Sequence, residues 1–398
     1  MQGKKCIGCG AILQDEYVDK AGFTKNLDND YCVRCFRMMH YNEMPKILAK
    51  NEDYDKILSN ALKKNSLVVL IVDIFDFSAT FVPKILNYLR DKDVILVANK
   101  YDLLPKSTNI GKVVEWMLSM AQKQFFKVLA VHCVSSKKGY YLEDLMNTID
   151  MFRQDRDVYF VGCANVGKSS LINALLRRFT TKTVDTISTS KVPGTTLDLI
   201  NIPFFDDNKS FIDTPGLINE GNILNKLMPI SYDKILPSSE INPITYQIFK
   251  GNCVFISGLM VVDIIEAECL SVTCYFSKNI LVHRTKSERI NDFMNKHLGE
   301  MLNPPLKEEI ANLKYQDKIF DVTLKKNELY ISGLGFISFN KPCKIKVKYI
   351  DGVDVELRNG IIGRKIWRNK EWCKNTFIRS WKKIYTYSWS SGNGRIFS

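Results

Sequence analysis

The chain has 398 residues, enough for two or three domains with their own cores, and its 45% hydrophobic and 25% charged content is that of a soluble globular protein. The net charge of +13 suits a polyanionic partner, though solubility alone would also account for it. No apolar run is long enough to span a membrane, and the N-terminal MQGKKCIGCG lacks the apolar core of an export signal, so a cytoplasmic protein with no membrane partner is expected.

Eleven Cys in such a chain do not suggest a disulfide framework. Four of them, Cys6, Cys9, Cys32 and Cys35, form two C-x-x-C pairs around a short polar spacer. That is the pattern of a structural zinc site, in which four thiolates saturate a tetrahedral ion and leave no open position for catalysis. From residue 66 strands and helices alternate. SLVVLIVD, DVILVAN, KVLAVHCVS and DVYFVG read as strands. VPKILNYLRDK, GKVVEWMLSMAQKQ and LEDLMNTIDMFRQD read as the helices between them. The alternation predicts a doubly wound, mostly parallel α/β sheet. Beyond about residue 220 the rhythm is lost, and strand-like runs around one helical stretch, SERINDFMNKHLGEML, predict a separate α+β domain. ISGL occurs twice, at 256–259 and 331–334, which is weak evidence of duplication and equally explained by Gly at a strand bulge.

Residues 162–169, GCANVGKS, fit G-x-x-x-x-G-K-[ST] between a strand and a helix. Such a loop turns backbone N–H groups toward phosphate oxygens at a helix N-terminus. Asn165, Val166, Gly167, Lys168, Ser169 and Ser170 are therefore expected at the nucleotide. Lys168 would reach the outer phosphates and Ser169 would ligate Mg²⁺. Downstream, SFIDTPGL places Asp213 to hold Mg²⁺ through water and Gly216 to offer an N–H to the γ-phosphate. In VPGTTLD between them, either Thr195 or Thr196 would cap the metal. Asn99, Lys100 and Asp102 form N-K-x-D after a strand. The Asp102 carboxylate can accept two hydrogen bonds from guanine that adenine cannot supply, Asn99 can bond the opposite edge, and the Lys100 stem can lie over the ring. Ser135, Ser136 and Lys137 have the form of the loop that backs the base.

All the parts of a GTPase are thus present in rotated order, with the base reader ahead of the phosphate loop. The strands can keep their places while the chain starts elsewhere, because domain termini lie close together. The order, the Cys pairs, DIFDFSAT at 73–80, PGTT and ISGLG resemble the YqeH family of circularly permuted GTPases, which act in assembly of the small ribosomal subunit. The match covers nearly the whole chain. The resemblance implies slow GTP hydrolysis stimulated by K⁺, GTP and GDP as ligands, and ribosomal RNA or a small-subunit precursor as partner, with no DNA expected and a monomeric state. Asn165 stands where potassium-dependent relatives place a cation-ligating Asn. Leu217 stands where Ras-like enzymes carry the water-orienting Gln. Asp73 and Asp76 resemble a family signature at a strand end; turn capping by Asp is the preferred reading, and they are not counted among the catalytic residues.

The domains expected are a zinc module over 1–45, a permuted GTPase domain over 46–222 and a C-terminal α+β domain over 223–398. The last ends in a basic aromatic tail. Residues 360–398 hold nine Lys and Arg against one acid, and four of the five Trp. Cations among aromatics suit RNA, and an amphipathic helix with its Trp packed inward would give the same pattern. The competing reading of the whole is a non-enzymatic, zinc-containing RNA-binding adaptor with a vestigial nucleotide pocket.

Overall fold

A computed structural model describes residues 4–6, 12–17, 22–33, 58–59, 62, 66–179, 199–205, 207 and 209–362. The runs read as strands form one sheet. Its members are β1 (Leu67–Asp73), β2 (Asp93–Asn99), β3 (Ala130–Cys133), β4 (Val158–Gly162), β5 (Ile200–Pro203) and β6 (Ser210–Asp213), in the order β3-β2-β1-β4-β6-β5. Every pair is parallel except β5 with β6. All seven residues of β1 are buried, as a strand covered on both faces by helices requires. The edge strand β5, absent from the sequence reading, is four residues long and ends at Pro203, which has no N–H to give a further neighbour.

The crossover helices are α1 (Pro83–Leu89), α2 (Ile110–Lys123), α3 (Leu142–Arg153) and α4 (Lys168–Phe179). α2 starts where the Asn109 side chain accepts a hydrogen bond from Lys112 N. α3 buries Leu142, Leu145, Met146 and Ile149, one face at helical spacing. The phosphate-loop strand β4 is fourth in the chain but sits centrally, between β1 and β6. The base-reader strand β2 precedes it in sequence and lies one strand away. The rotated motif order is therefore a permutation of connectivity within a doubly wound sheet.

Residues 244–358 form two five-stranded antiparallel sheets. Their strands are β7 (Ile244–Ile248), β8 (Asn252–Ile256), β9 (Met260–Glu266), β10 (Leu270–Phe276) and β11 (Val282–Lys286), then β12 (Tyr315–Val322), β13 (Glu328–Ile331), β14 (Gly335–Phe339), β15 (Cys343–Ile350) and β16 (Val355–Arg358). One sheet runs β16-β13-β14-β10-β7 and the other β11-β8-β9-β15-β12. Residues from the inner faces of both share one apolar core, so the sheets form a sandwich. The helical stretch expected around 287–302 yields one eight-residue helix, α5 (Ile290–His297), ending where Leu298 turns extended. The described part of this region is thus mainly β.

The two sheet orders are one pattern. Each strand of β7–β11 has its counterpart five places later in β12–β16. Each sheet takes three strands from one set and two from the other. Ile256-Ser257-Gly258-Leu259 and Ile331-Ser332-Gly333-Leu334 are the two equivalent hairpin turns. Val272, Cys274 and Phe276 on β10 correspond to Ile345, Val347 and Tyr349 on β15, all in the core. The echo of ISGL therefore marks an internal duplication with exchanged strands.

Candidate nucleotide site and its junction with the sandwich

The phosphate loop, the Asp213 loop and the base reader all leave the C-terminal ends of parallel strands, where ligands gather in such sheets. Asn165 and Gly167 have positive φ, 64° and 85°. A Cβ on Gly167 would stand 2.4 Å from Asn99 Nδ2, so this position admits no side chain. Asn99 is fully buried and its amide is committed to the protein. Its Nδ2 donates to Val166 O at 3.0 Å and Gly167 O at 3.3 Å, and its Oδ1 accepts from Ser136 N at 3.0 Å. These bonds fasten the phosphate loop to the base-backing loop.

Asp102 accepts a 2.6 Å hydrogen bond from Ser135 Oγ, which itself accepts from Lys138 N. That leaves the second carboxylate oxygen available to a ligand. Lys100 Nζ lies 2.5 Å from Asp73 Oδ2. Lys137 Nζ donates to Ser238 O at 2.7 Å, so its charge is turned to the connector that precedes the sandwich. Val166 is buried and Ser170 exposed at the start of α4.

At the other end, Lys168 Nζ lies 2.9 Å from Asp213 Oδ1, and Ser169 Oγ donates to Asp213 Oδ2 at 3.3 Å. Both members of the ion pair are buried. Asp213 Oδ1 nevertheless has no hydrogen-bond donor of good geometry. A buried carboxylate oxygen in that state, beside a serine hydroxyl, fits a divalent cation held directly or through water. Bound there, Mg²⁺ would neutralise phosphate charge, while Lys168 and the loop N–H groups position the phosphates. Gly216 packs so closely on the phosphate loop that a Cβ would be 2.9 Å from Ala164 Cα. Leu217 pairs with the same loop, its O accepting from Ala164 N at 2.7 Å. Thr195 and Thr196 lie outside the described residues.

Of the four cysteines, Cys6 and Cys32 are buried together and Cys32 N donates to Cys6 Sγ at 3.2 Å. Cys9 and Cys35 lie outside the described residues. Among the described residues no cluster of three or more His, Cys, Asp or Glu comes together as a metal site. Arg364 and the rest of the basic tail also lie outside them.

The sequence reading missed a junction built on 73–80. Asp73 does cap the turn, its Oδ1 accepting from Phe75 N at 2.9 Å, while its other oxygen holds Lys100. Asp76 instead bonds the sandwich. It accepts from Tyr330 Oη, from Gly333 N at 2.8 Å and from Asn222 Nδ2 at 3.2 Å. Burial, helped by the neighbouring Asp73 charge, pushes its carboxyl up to about 6. Beside it, the buried Arg358 donates to Glu328 Oε1 at 2.6 Å and to Ser78 Oγ at 3.0 Å, with its guanidinium over the Tyr330 ring. Trp116 of α2 donates to Asn359 O at 3.0 Å. Cys163 in the phosphate loop faces Thr80 O, and burial pushes its thiol up to about 12, so it stays protonated. The only hints in sequence were the DIFDFSAT signature and the second ISGL.

Comparison with known proteins matches residues 157–241 to a family described as 50S ribosome-binding GTPase, and residues 269–361 to one described as YqeH-like, C-terminal. Over 370 residues the chain is 35% identical to the uncharacterized protein YqeH of Bacillus subtilis, covering 91% of this chain and 100% of that one. The chain belongs to the YqeH family. Another relative, the NO-associated protein 1, chloroplastic/mitochondrial, of Arabidopsis thaliana, is 30% identical over 389 residues, covering 84% of this chain and 69% of its own. A GDP-bound structure of YlqF overlaps 38% of this chain and 53% of its own at 22% identity and a TM-score of 0.25, too low to add to the topology above. Membership agrees with the geometry: this YqeH-family chain carries a P-loop GTPase domain, whose ligands are guanine nucleotide and Mg²⁺. Among its described residues no helix is long and apolar enough to cross a membrane.

Proposed function

We propose that the protein is a GTP-hydrolysing ribosome assembly factor that acts on the small subunit or its RNA. The observation that carries this is the convergence of Lys168, Ser169 and Asp213 with Asp102 on one edge of the sheet, joined through the buried Asn99. Phosphate and base reading are intact and rigidly connected, which a vestigial pocket has no reason to keep.

The partner reading draws on the family and on charge. The 50S-binding description attached to residues 157–241 names the large subunit, whereas the family resemblance implies the small one. The basic tail supplies phosphate contacts in either case. Hydrolysis is slow and K⁺-stimulated, with Asn165 at the cation and K⁺ near the developing phosphate charge. Structural Zn²⁺ is held by Cys6, Cys9, Cys32 and Cys35; the pairing of buried Cys6 and Cys32 supports this. The protein works as a cytoplasmic monomer.

The test is GTP turnover and co-sedimentation with purified ribosomal particles. Stimulated turnover and GTP-dependent association with small-subunit precursors are expected. Association with the large subunit alone would overturn the subunit assignment, and no turnover with any particle would favour an adaptor.

A further inference from the structure

The segment that leads from the Asp213 loop into β7 passes along the loops that read the base. Ile241 N donates to Leu103 O at 2.9 Å. Lys106 N donates to Glu240 Oε1 at 2.9 Å. Lys137 Nζ donates to Ser238 O at 2.7 Å. Residues 238–241 thus touch both the loop after β2 and the loop after β3. Leu103 and Ile241 are buried at this contact, which fixes the connector in place. The Lys106 ammonium is 91% exposed and 3.7 Å from Glu240, so that ion pair contributes little. What Glu240 supplies is an acceptor for a main-chain N–H.

These loops must hold Asp102 and Ser135 in place before a base arrives. Ordering them during binding would cost affinity, and contacts that order them beforehand reduce that cost. We infer that residues 236–241 brace the guanine-recognition loops, with Glu240 as a positioning residue, so that retention of guanine nucleotide depends on a segment continuous with the sandwich. The inference rests on the reading of Asn99–Asp102 as the base reader. Glu240 lies among none of the phosphate-binding groups. Its loss should therefore change nucleotide release and not turnover at saturating GTP. Because β7 begins three residues after Ile241, a partner that shifts the sandwich would alter nucleotide affinity, and nucleotide would alter partner affinity by the same factor.

The experiment is the dissociation rate of a fluorescent GDP from the full chain, chased with excess GDP. Glu240→Ala should speed release about five-fold, the worth of one hydrogen bond. Glu240→Gln keeps an acceptor oxygen and should stay within about two-fold of the native rate. Lys106→Ala keeps the main-chain N–H and should match the native protein. Unchanged turnover at saturating GTP and unchanged melting would complete the pattern. Native release by Glu240→Ala would overturn the brace, as would a Lys106→Ala variant as fast as Glu240→Ala. A native protein that binds no GDP would instead overturn the base-reader reading itself.

Discussion

Tyr330, on the sandwich, donates its hydroxyl hydrogen bond to the carboxylate of Asp76, 254 residues earlier on the loop that leaves β1. The same carboxylate takes Gly333 N and Asn222 Nδ2. One side chain therefore joins the sheet, the segment after the Asp213 loop and a sandwich turn. Asp76→Ala would leave these donors without an acceptor and should destabilise the protein by about 2–3 kcal/mol.

Acidity gives a second readout at the same residue. The Asp76 carboxyl is raised from 3.8 to about 6 on folding. Between those values the folded state binds more protons than the unfolded state, so this group's contribution is fully present below about 4 and is lost as pH rises through about 6. Asp76→Asn removes that pH-dependent contribution. Relative to native, the Asn variant should gain about 2 kcal/mol between pH 4 and pH 7, measured by urea unfolding at each pH. A constant difference across that range would show that Asp76 does not titrate there.

The sheet was legible because its strands are continuous apolar runs and its helices carry one apolar face. The nucleotide motifs were legible because phosphate and guanine chemistry fixes residue types at fixed spacing. The junction was not. Tyr330, Glu328 and Arg358 sit on short strands as single polar residues, and only the exchanged-strand fold brings them to Asp76 and Ser78. The runs CVFISGLMVVDII and ELYISGLGFISF are continuous apolar stretches in sequence, yet each folds back as a hairpin at its ISGL turn. The N-K-x-D motif likewise gave no sign that the buried Asn99 amide joins two loops.

Base choice should follow Asp102. Asp102→Asn exchanges a carboxylate oxygen for a donor at the place where guanine presents N–H groups. Ser135 Oγ would keep the side chain oriented, since it can bond the amide oxygen. Affinity for GTP should fall by about 2–5 kcal/mol, and xanthosine triphosphate, which offers a carbonyl there, should bind better than to native protein. Equilibrium titration with both nucleotides checks this. Unaltered GTP affinity would mean that Asp102 does not face the base.

Metal analysis of the purified protein should find one Zn²⁺ per chain. Cys6 is buried against Cys32, so Cys6→Ser should both release the ion and loosen the packing of Leu13 and Tyr31 around it. Zinc content and proteolysis of the N-terminal segment report the two effects separately. A zinc-free protein whose N-terminal segment resists protease as well as the untreated sample would remove the structural role of the metal.

The tail and the nucleotide should act together through the sandwich. β16 ends at Arg358, whose guanidinium is bonded to Ser78 of the sheet's own loop, and the basic residues follow from Arg364 onward. Asn222, on the segment after the Asp213 loop, donates to Asp76 at 3.2 Å, so a movement of that loop would be carried to the junction with the sandwich. If about four to six tail cations meet RNA phosphates, log affinity should fall with log salt at a slope of about −3 to −5. Replacing Arg364, Lys365, Arg368 and Lys370 together by Ala should weaken binding and flatten that slope, while GTP turnover without RNA persists, because none of the four belongs to the nucleotide motifs. Binding should be tighter with a non-hydrolysable GTP analogue than with GDP. Asp76→Ala should narrow that difference and leave the salt slope unchanged, since it cuts the junction and not the phosphate contacts. A quadruple variant with the native slope would make the tail structural. Equal binding in the two nucleotide states would sever the proposed link between switch and partner.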